Sequence, residues 1–478
     1  MNTTRTTGTP AALSLALGVA GFSCAHAHAQ SLSPADRVAA QAGDPRFVTP
    51  TGERPNTAAL PVAEARPAAA SALLVVFVHD QSSDEILRLR DLNGDGDAHD
   101  LGEVTVFYDD SPPAALGIDN AQGLVALGPD TLLATDNFDP DNIIFMNDAD
   151  ADGSALGAGE ASIWFSGLLP GGFTLTNPAD LTPLGDGSYL LLDNNTLDTA
   201  NPEAIYILED LNADNDVDDA GEAVLFHELS PVGVSATTTF DAVRDESGFV
   251  YTLDITDPNQ IESIDIIEPG GATRTEWINS ADLFNLVGIF LGTTFELEYI
   301  PDSDEILFGA SNLSNDQLIV AAKDRNGSNT IDVASELRLV WSEGTHADGF
   351  STGSPRDFAR LPDGRLLWTD GLNDRVMLHQ DLNGDGDFQE LGETTVLYVA
   401  ATASANGLPT LSLPLSVTGA IVCFADCDGN GALNVDDVDC WVAGFLAGDL
   451  GVADCDGNGS LNVDDVDCFV ASFLGGCP

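Results

Sequence analysis

From residue 71 to about residue 400 the chain alternates between short apolar runs and polar turns. The most continuous runs are "LLVVFVHD", "TLLATD", "YLLLD", "FVYTLD", "EILFGAS" and "RLLWTD", most of them ending in Asp. Runs of this length, rich in Leu, Val, Phe and Thr and bounded by Gly, Pro, Asn and Asp, predict buried strands. Each is followed by a second run such as "EILRLRDL", an acidic loop, and a third run such as "EVTVFY" or "TTVLYV". A further run, "GLVAL" or "RDFARL", comes before the turn that leads into the first. The unit is about four short strands, the size of a propeller blade.

The unit repeats. The loops begin at Asp91, Asp148, Asp210, Glu268, Asp324 and Asp381, at intervals of 57, 62, 58, 56 and 57 residues. Six copies at a regular period predict a mainly β chain whose residues 71–421 form a six-bladed β-propeller. The first copy lacks an innermost strand, while "LSLPLSVTGAIV" at Leu411–Val422 is strand-like and has no blade of its own. Ring closure by this C-terminal segment would resolve both; a linker crossing the propeller face is the alternative. The repeats resemble those of six-bladed propellers ending in Trp-Thr-Asp or Val-Thr-Asp, most closely in "LLWTD" at Leu366–Asp370.

Composition adds a charge. Asp and Glu number 77 against 16 Lys plus Arg, for a net charge of -61, and Lys323 is the single lysine. Such a surface repels phosphate backbones and anionic membranes, which excludes nucleic acid as a partner class, and it attracts divalent cations. A solvation role for the acidity is the alternative. Residues 1–29 read as an export signal: Arg5, an apolar run from Ala11 to Phe22, then Ala27-His28-Ala29 as a small-x-small cleavage site. The residues before Cys24 match a lipoprotein signal poorly. Residues 30–70 read as a flexible leader, and no later run has the roughly 20 apolar residues of a membrane span. An exported chain, extracellular or at the cell surface, is expected. The six remaining cysteines, all between Cys423 and Cys477, then read as disulfide-forming.

The acidic loops have the residue types of hard-cation sites. "DLNGDGDAHDLGE" sets Asp91, Asn93, Asp95 and Asp97 at alternate positions and closes on Glu103. "DLNGDGDFQELGE" does the same with Asp381, Asn383, Asp385, Asp387 and Glu393. Calcium takes roughly six to eight oxygens, and alternate residues of a tight loop can point inward together. Asx-rich turns that satisfy their own backbone are the competing reading. Three further loops keep the spacing from first acid to last Glu, and "EPGGATRTE" has lost it.

Residues 422–478 carry a different repeat, "DCDGNGALNVDD" from Asp426 and "DCDGNGSLNVDD" from Asp454. Each fits the spacing of an EF-hand loop and is followed by a run with apolar residues at helical spacing, "DVDCWVAGFLAG" or "DVDCFVASFLGG". The segment resembles the cysteine-bearing dockerin modules of exported bacterial proteins, which implies a small all-α domain with two Ca2+ sites. The resemblance assigns Asp426, Asp428, Asn430, Asn434 and Asp437 as side-chain ligands, with the Ala432 carbonyl. In the second loop it assigns Asp454, Asp456, Asn458, Asn462 and Asp465, with the Ser460 carbonyl. It also implies a cohesin-like module or other envelope anchor as partner, met through Val435-Asp436 or Val463-Asp464. Six cysteines allow many pairings; the repeat symmetry favours Cys427–Cys440 and Cys455–Cys468, leaving Cys423 with Cys477.

Asp180, Asp241, Glu296 and Asp357 fall at equivalent inner-strand positions in four copies, facing the expected channel. They could hold a metal, as in lactonase-like and esterase-like six-bladed hydrolases, or bond neighbouring backbone. The strand-end residues Asp80, Asp136, Asp193, Asp254 and Asp370 read as structural. Two functions result: an exported calcium-binding propeller for binding or display, anchored by the dockerin; or a dockerin-tethered hydrolase or lyase, lactonase-like, esterase-like or polysaccharide-degrading, with a channel metal.

Overall fold

The computed structural model describes residues 73–478 except 93–94, 110–115, 138–140, 195–200, 231–238, 255–261, 292–295, 423–424, 428–432, 449, 454, 456–459 and 476–478. Residues 1–70, expected to be an export signal and a leader, lie outside the described residues.

Six antiparallel sheets follow one another along the chain, and their innermost strands neighbour one another in a closed ring. These strands are Leu124–Gly128, Pro178–Pro183, Thr239–Arg244, Leu297–Ile300, Pro355–Arg360 and Pro414–Val422. The last completes the first blade: it pairs antiparallel with Leu73–Asp80, placing Val422 opposite Leu73. The C-terminal segment therefore closes a six-bladed propeller. The fifth blade has a split inner edge, with Ile289–Leu291 and Leu297–Ile300 pairing with different parts of Glu305–Asn312.

The apolar runs became the second strand of each blade. Leu366–Asp370 is buried along its whole length, because each sheet packs a neighbour on both faces. The terminal aspartates tie down the segment that enters the inner strand. Asp193 accepts from the Thr176 and Asn177 amides, and Asp370 from those of Gly353 and Ser354. The structural reading of these residues matches that geometry.

In every blade the outermost pairing contains a β-bulge. A bulge leaves one residue outside the ladder. In five blades the stranded carbonyl belongs to Phe107, Trp164, Trp277, Val340 or Leu397, and the next blade supplies its donor. Ala155, Val217, Ile331, Phe388 and Ala98 donate their amides to these carbonyls in turn, at 2.7–2.9 Å. All five donors are position 8 of an acidic loop, and each buries its side chain at the joint. Behind the third blade, where the short loop "EPGGATRTE" replaces the acidic one, Gly271 lies against the Phe226 carbonyl, and the His227 ring bonds the Gly271 carbonyl at 2.7 Å. The loops are thus the clasps between blades.

Beyond the ring, the helices Val435–Ala447 and Val463–Gly475 flank the short helix Leu450–Ala453. They have their own core of Ala425, Trp441, Ala453, Cys455 and Phe469. Among the described residues no helix is long and apolar enough to cross a membrane.

Candidate functional site

The ring of inner strands brings the channel carboxylates together. Asp180, Asp241 and Glu296 each place an oxygen within 4.8 Å of the others. Asp357 and Glu298 join them, and burial raises all five acids above the ordinary carboxylate range. Asp357 is pushed up to about 7 and Glu298 to about 8. After burial, the repulsion of Asp180 acts on Asp241, and that of Asp241 and Asp357 on Glu296. A group of acids this close either shares protons or takes up a cation.

These side chains also bond neighbouring backbone. Asp241 accepts from the Leu297 amide of the next blade and, at 2.6 Å, from Ala242. Asp357 accepts from Val417 in the closing strand, and Glu298 from Arg360 at 3.1 Å. Thr182 donates to Asp180 at 2.8 Å and lies 2.7 Å from the Ala242 carbonyl. The carboxylates thus stitch the inner ring and form the acidic cluster at once. Sequence alignment picked out four of the five. Glu298 was missed, although it lies two residues beyond Glu296 and so shares its side of an extended segment.

In the acidic loops the closing glutamates turn onto their own backbone. Glu103 accepts from the Leu92 and Asp100 amides, and Glu393 from Leu382 and Glu390. Asp91 accepts from Gly96, and Asp381 from Gly386 at 2.7 Å. Asp95, Asp97, Asn383, Asp385 and Asp387 each cap the amide two residues on. Asn93 lies outside the described residues. Among the described residues, oxygen groups compact enough for a metal occur in two of these loops, as Asp148, Asp150 and Glu160 and as Asp385, Asp387 and Glu390.

The C-terminal segment is built in two matching halves. Disulfides join Cys427 to Cys440 and Cys455 to Cys468, each with Cα atoms 5.9 Å apart. Asp437 and Asp465, fully buried in the first helical turns, accept from the Asn434 and Asn462 amides at 2.8 and 2.7 Å. Each is one arm of a capping box. Trp441 stacks on Phe469 with centroids 4.6 Å apart, tying one half to the other. Val435 and Val463 are exposed at equivalent positions. Asp428, Asn430, Ala432, Asp454, Asp456, Asn458, Cys423 and Cys477 lie outside the described residues, as do the side chains of Asp436 and Asp464.

No protein-family model matches the chain, and no curated protein matches it. Among solved structures it is similar to a nidogen/laminin complex, at 13% identity and TM-score 0.42 over 73% of this chain and 99% of that one. A candidate 6-phosphogluconolactonase from Bacteroides fragilis aligns at 11% identity and TM-score 0.41, over 74% and 99%. A calcium-binding protein, regucalcin, from Agrobacterium tumefaciens aligns at 11% and 0.33, over 56% and 72%.

Proposed function

We propose that the chain is an exported, calcium-dependent binding protein whose propeller is displayed on a dockerin anchor. The observation carrying this reading is the doubled construction of the C-terminal segment. Two acidic loops each run into a helix whose buried third residue is an aspartate, and each loop is clamped to its helix by a disulfide. In this reading calcium fills each loop, with Asp437 and Asp465 as the last ligands, and orders the two helices as alternative faces for a cohesin-like module. Hard oxygen donors of this kind suit calcium. The full-length chain should capture its partner from the envelope fraction of the source organism in calcium and lose it in chelator. An Asp437→Ala, Asp465→Ala variant should fail to capture in either condition. Capture that persists in chelator would overturn the anchor.

A second reading, a metal-dependent hydrolase or lyase, draws support from Asp180, Asp241 and Glu296, whose oxygens are near enough to share one cation. The metal would polarise a carbonyl or acidify a bound water. If it operates, a divalent cation should bind with a stoichiometry that falls by one in Asp180→Asn, Asp241→Asn. That variant should also lose all lactone or ester hydrolysis; activity that survives it would exclude the channel as the catalytic centre.

A further inference from the structure

A cavity of about 160 Å³ opens between the fourth and fifth blades, away from the channel carboxylates. Its walls include Phe249, Tyr251, Trp277 and Tyr299, and its rim carries Asp245, Asp304, Asp324 and Lys323. Tyr251 and Trp277 meet nearly edge to face, with centroids 4.9 Å apart and planes at 69°, forming an aromatic corner. The phenol hydroxyls turn toward the rim: Tyr299 donates to Asp304 at 3.2 Å and Tyr251 to Asp245 at 3.4 Å.

The charge is unbalanced. Three carboxylates face one ammonium, and that ammonium is already engaged with Asp304 and the Ser303 carbonyl, each at 3.0 Å. After burial, all three carboxylates act to raise the Tyr251 phenol. Trp277 is buried, and its indole N–H has no acceptor among the described residues. Aromatic faces and surplus carboxylates favour a cation, and an oxygen on that cation would offer the indole an acceptor.

We propose that this cavity is a binding site for a small organic ammonium that carries a hydroxyl or carbonyl oxygen. The fit rests on the Tyr251–Trp277 corner, the surplus charge of Asp245, Asp304 and Asp324, and the unpartnered indole.

The test is calorimetric titration of the full-length protein with choline at low salt. Parallel titrations use its uncharged isostere 3,3-dimethylbutan-1-ol, and glucose. Choline should bind at one saturable site that the isostere and glucose do not occupy. Tyr251→Leu removes an aromatic wall without changing net charge, so it should weaken choline by about tenfold or more, the scale of a desolvated cation–π contact. General attraction to an acidic surface would survive that change. Asp245→Asn, Asp304→Asn should weaken choline comparably; asparagine keeps an acceptor for the Phe249 amide and tolerates the positive φ of residue 304. Tyr251→Phe should bind nearly as wild type. Equal binding of choline and its isostere, saturable glucose binding in place of choline, or choline affinity unmoved in Tyr251→Leu and in the double variant would each overturn the proposal.

Discussion

At the scale of single residues, the buried acids set the response to pH. Asp193, Glu203 and Asp357 are raised to about 7 and Glu298 to about 8, each mainly by burial. An acid whose pKa is higher folded than unfolded stabilises fully below its unfolded value, and that stability is lost as pH rises through the folded value. The window is therefore about pH 4 to 8. His79 and His379, lowered by burial to about 4 and about 3, act in the opposite sense below their unfolded value. At pH 5.5 the two histidines, about one pH unit below their unfolded value of 6.5, oppose folding less than the four acids, about 1.5 to 2.5 pH units below their folded values, favour it. Chelated protein should thus melt higher at pH 5.5 than at pH 8 in thermal denaturation followed by circular dichroism, and an equal or reversed order would contradict the shifts. The acids themselves were partly legible. Asp180, Asp241 and Asp357 stand at the same place in recurring inner strands, whereas Glu298 has no counterpart in the other repeats.

At the scale of elements, the acidic loops join blade to blade whether or not an ion occupies them. Their aspartates announced a cation, and the residue that seats each loop, position 8, was passed over. Ala98, Ala155, Val217, Ile331 and Phe388 are all apolar, which is the one trace of the joint in the sequence. The stranded carbonyl they satisfy comes from a bulge, and a bulge is set by register, which the apolar pattern does not record. The joint behind the third blade offers a paired test. Gly270 and Gly271 both have positive φ, at 86° and 74°, so alanine is conformationally strained at either. A Cβ at 270 meets nothing within 4 Å, but one at 271 would lie 1.8 Å from the Phe226 carbonyl oxygen. Gly270→Ala should cost about 1 kcal/mol. Gly271→Ala should cost clearly more, because the blades must separate. Equal urea midpoints for the two variants would show that the contact does not hold the joint.

At the scale of the whole molecule, period and strand count were enough for six blades, while a missing inner strand with an unassigned apolar run left closure and a face-crossing linker both open, and the pairing of Leu73–Asp80 with Pro414–Val422 decides for closure. The 4–5 cavity was not legible, because its walls come from different repeats and meet only after the ring forms. The closure also decides how the propeller bears a pull. Leu73 and Val422 face each other at the same end of an antiparallel pair. Tension applied between the segments leaving these two residues loads their rungs one after another instead of all together. Each backbone bond contributes only about 1 kcal/mol, so the seam peels at low force. The same six blades pulled from opposite sides would share the load across whole strands, which makes this edge the mechanical fuse of the ring.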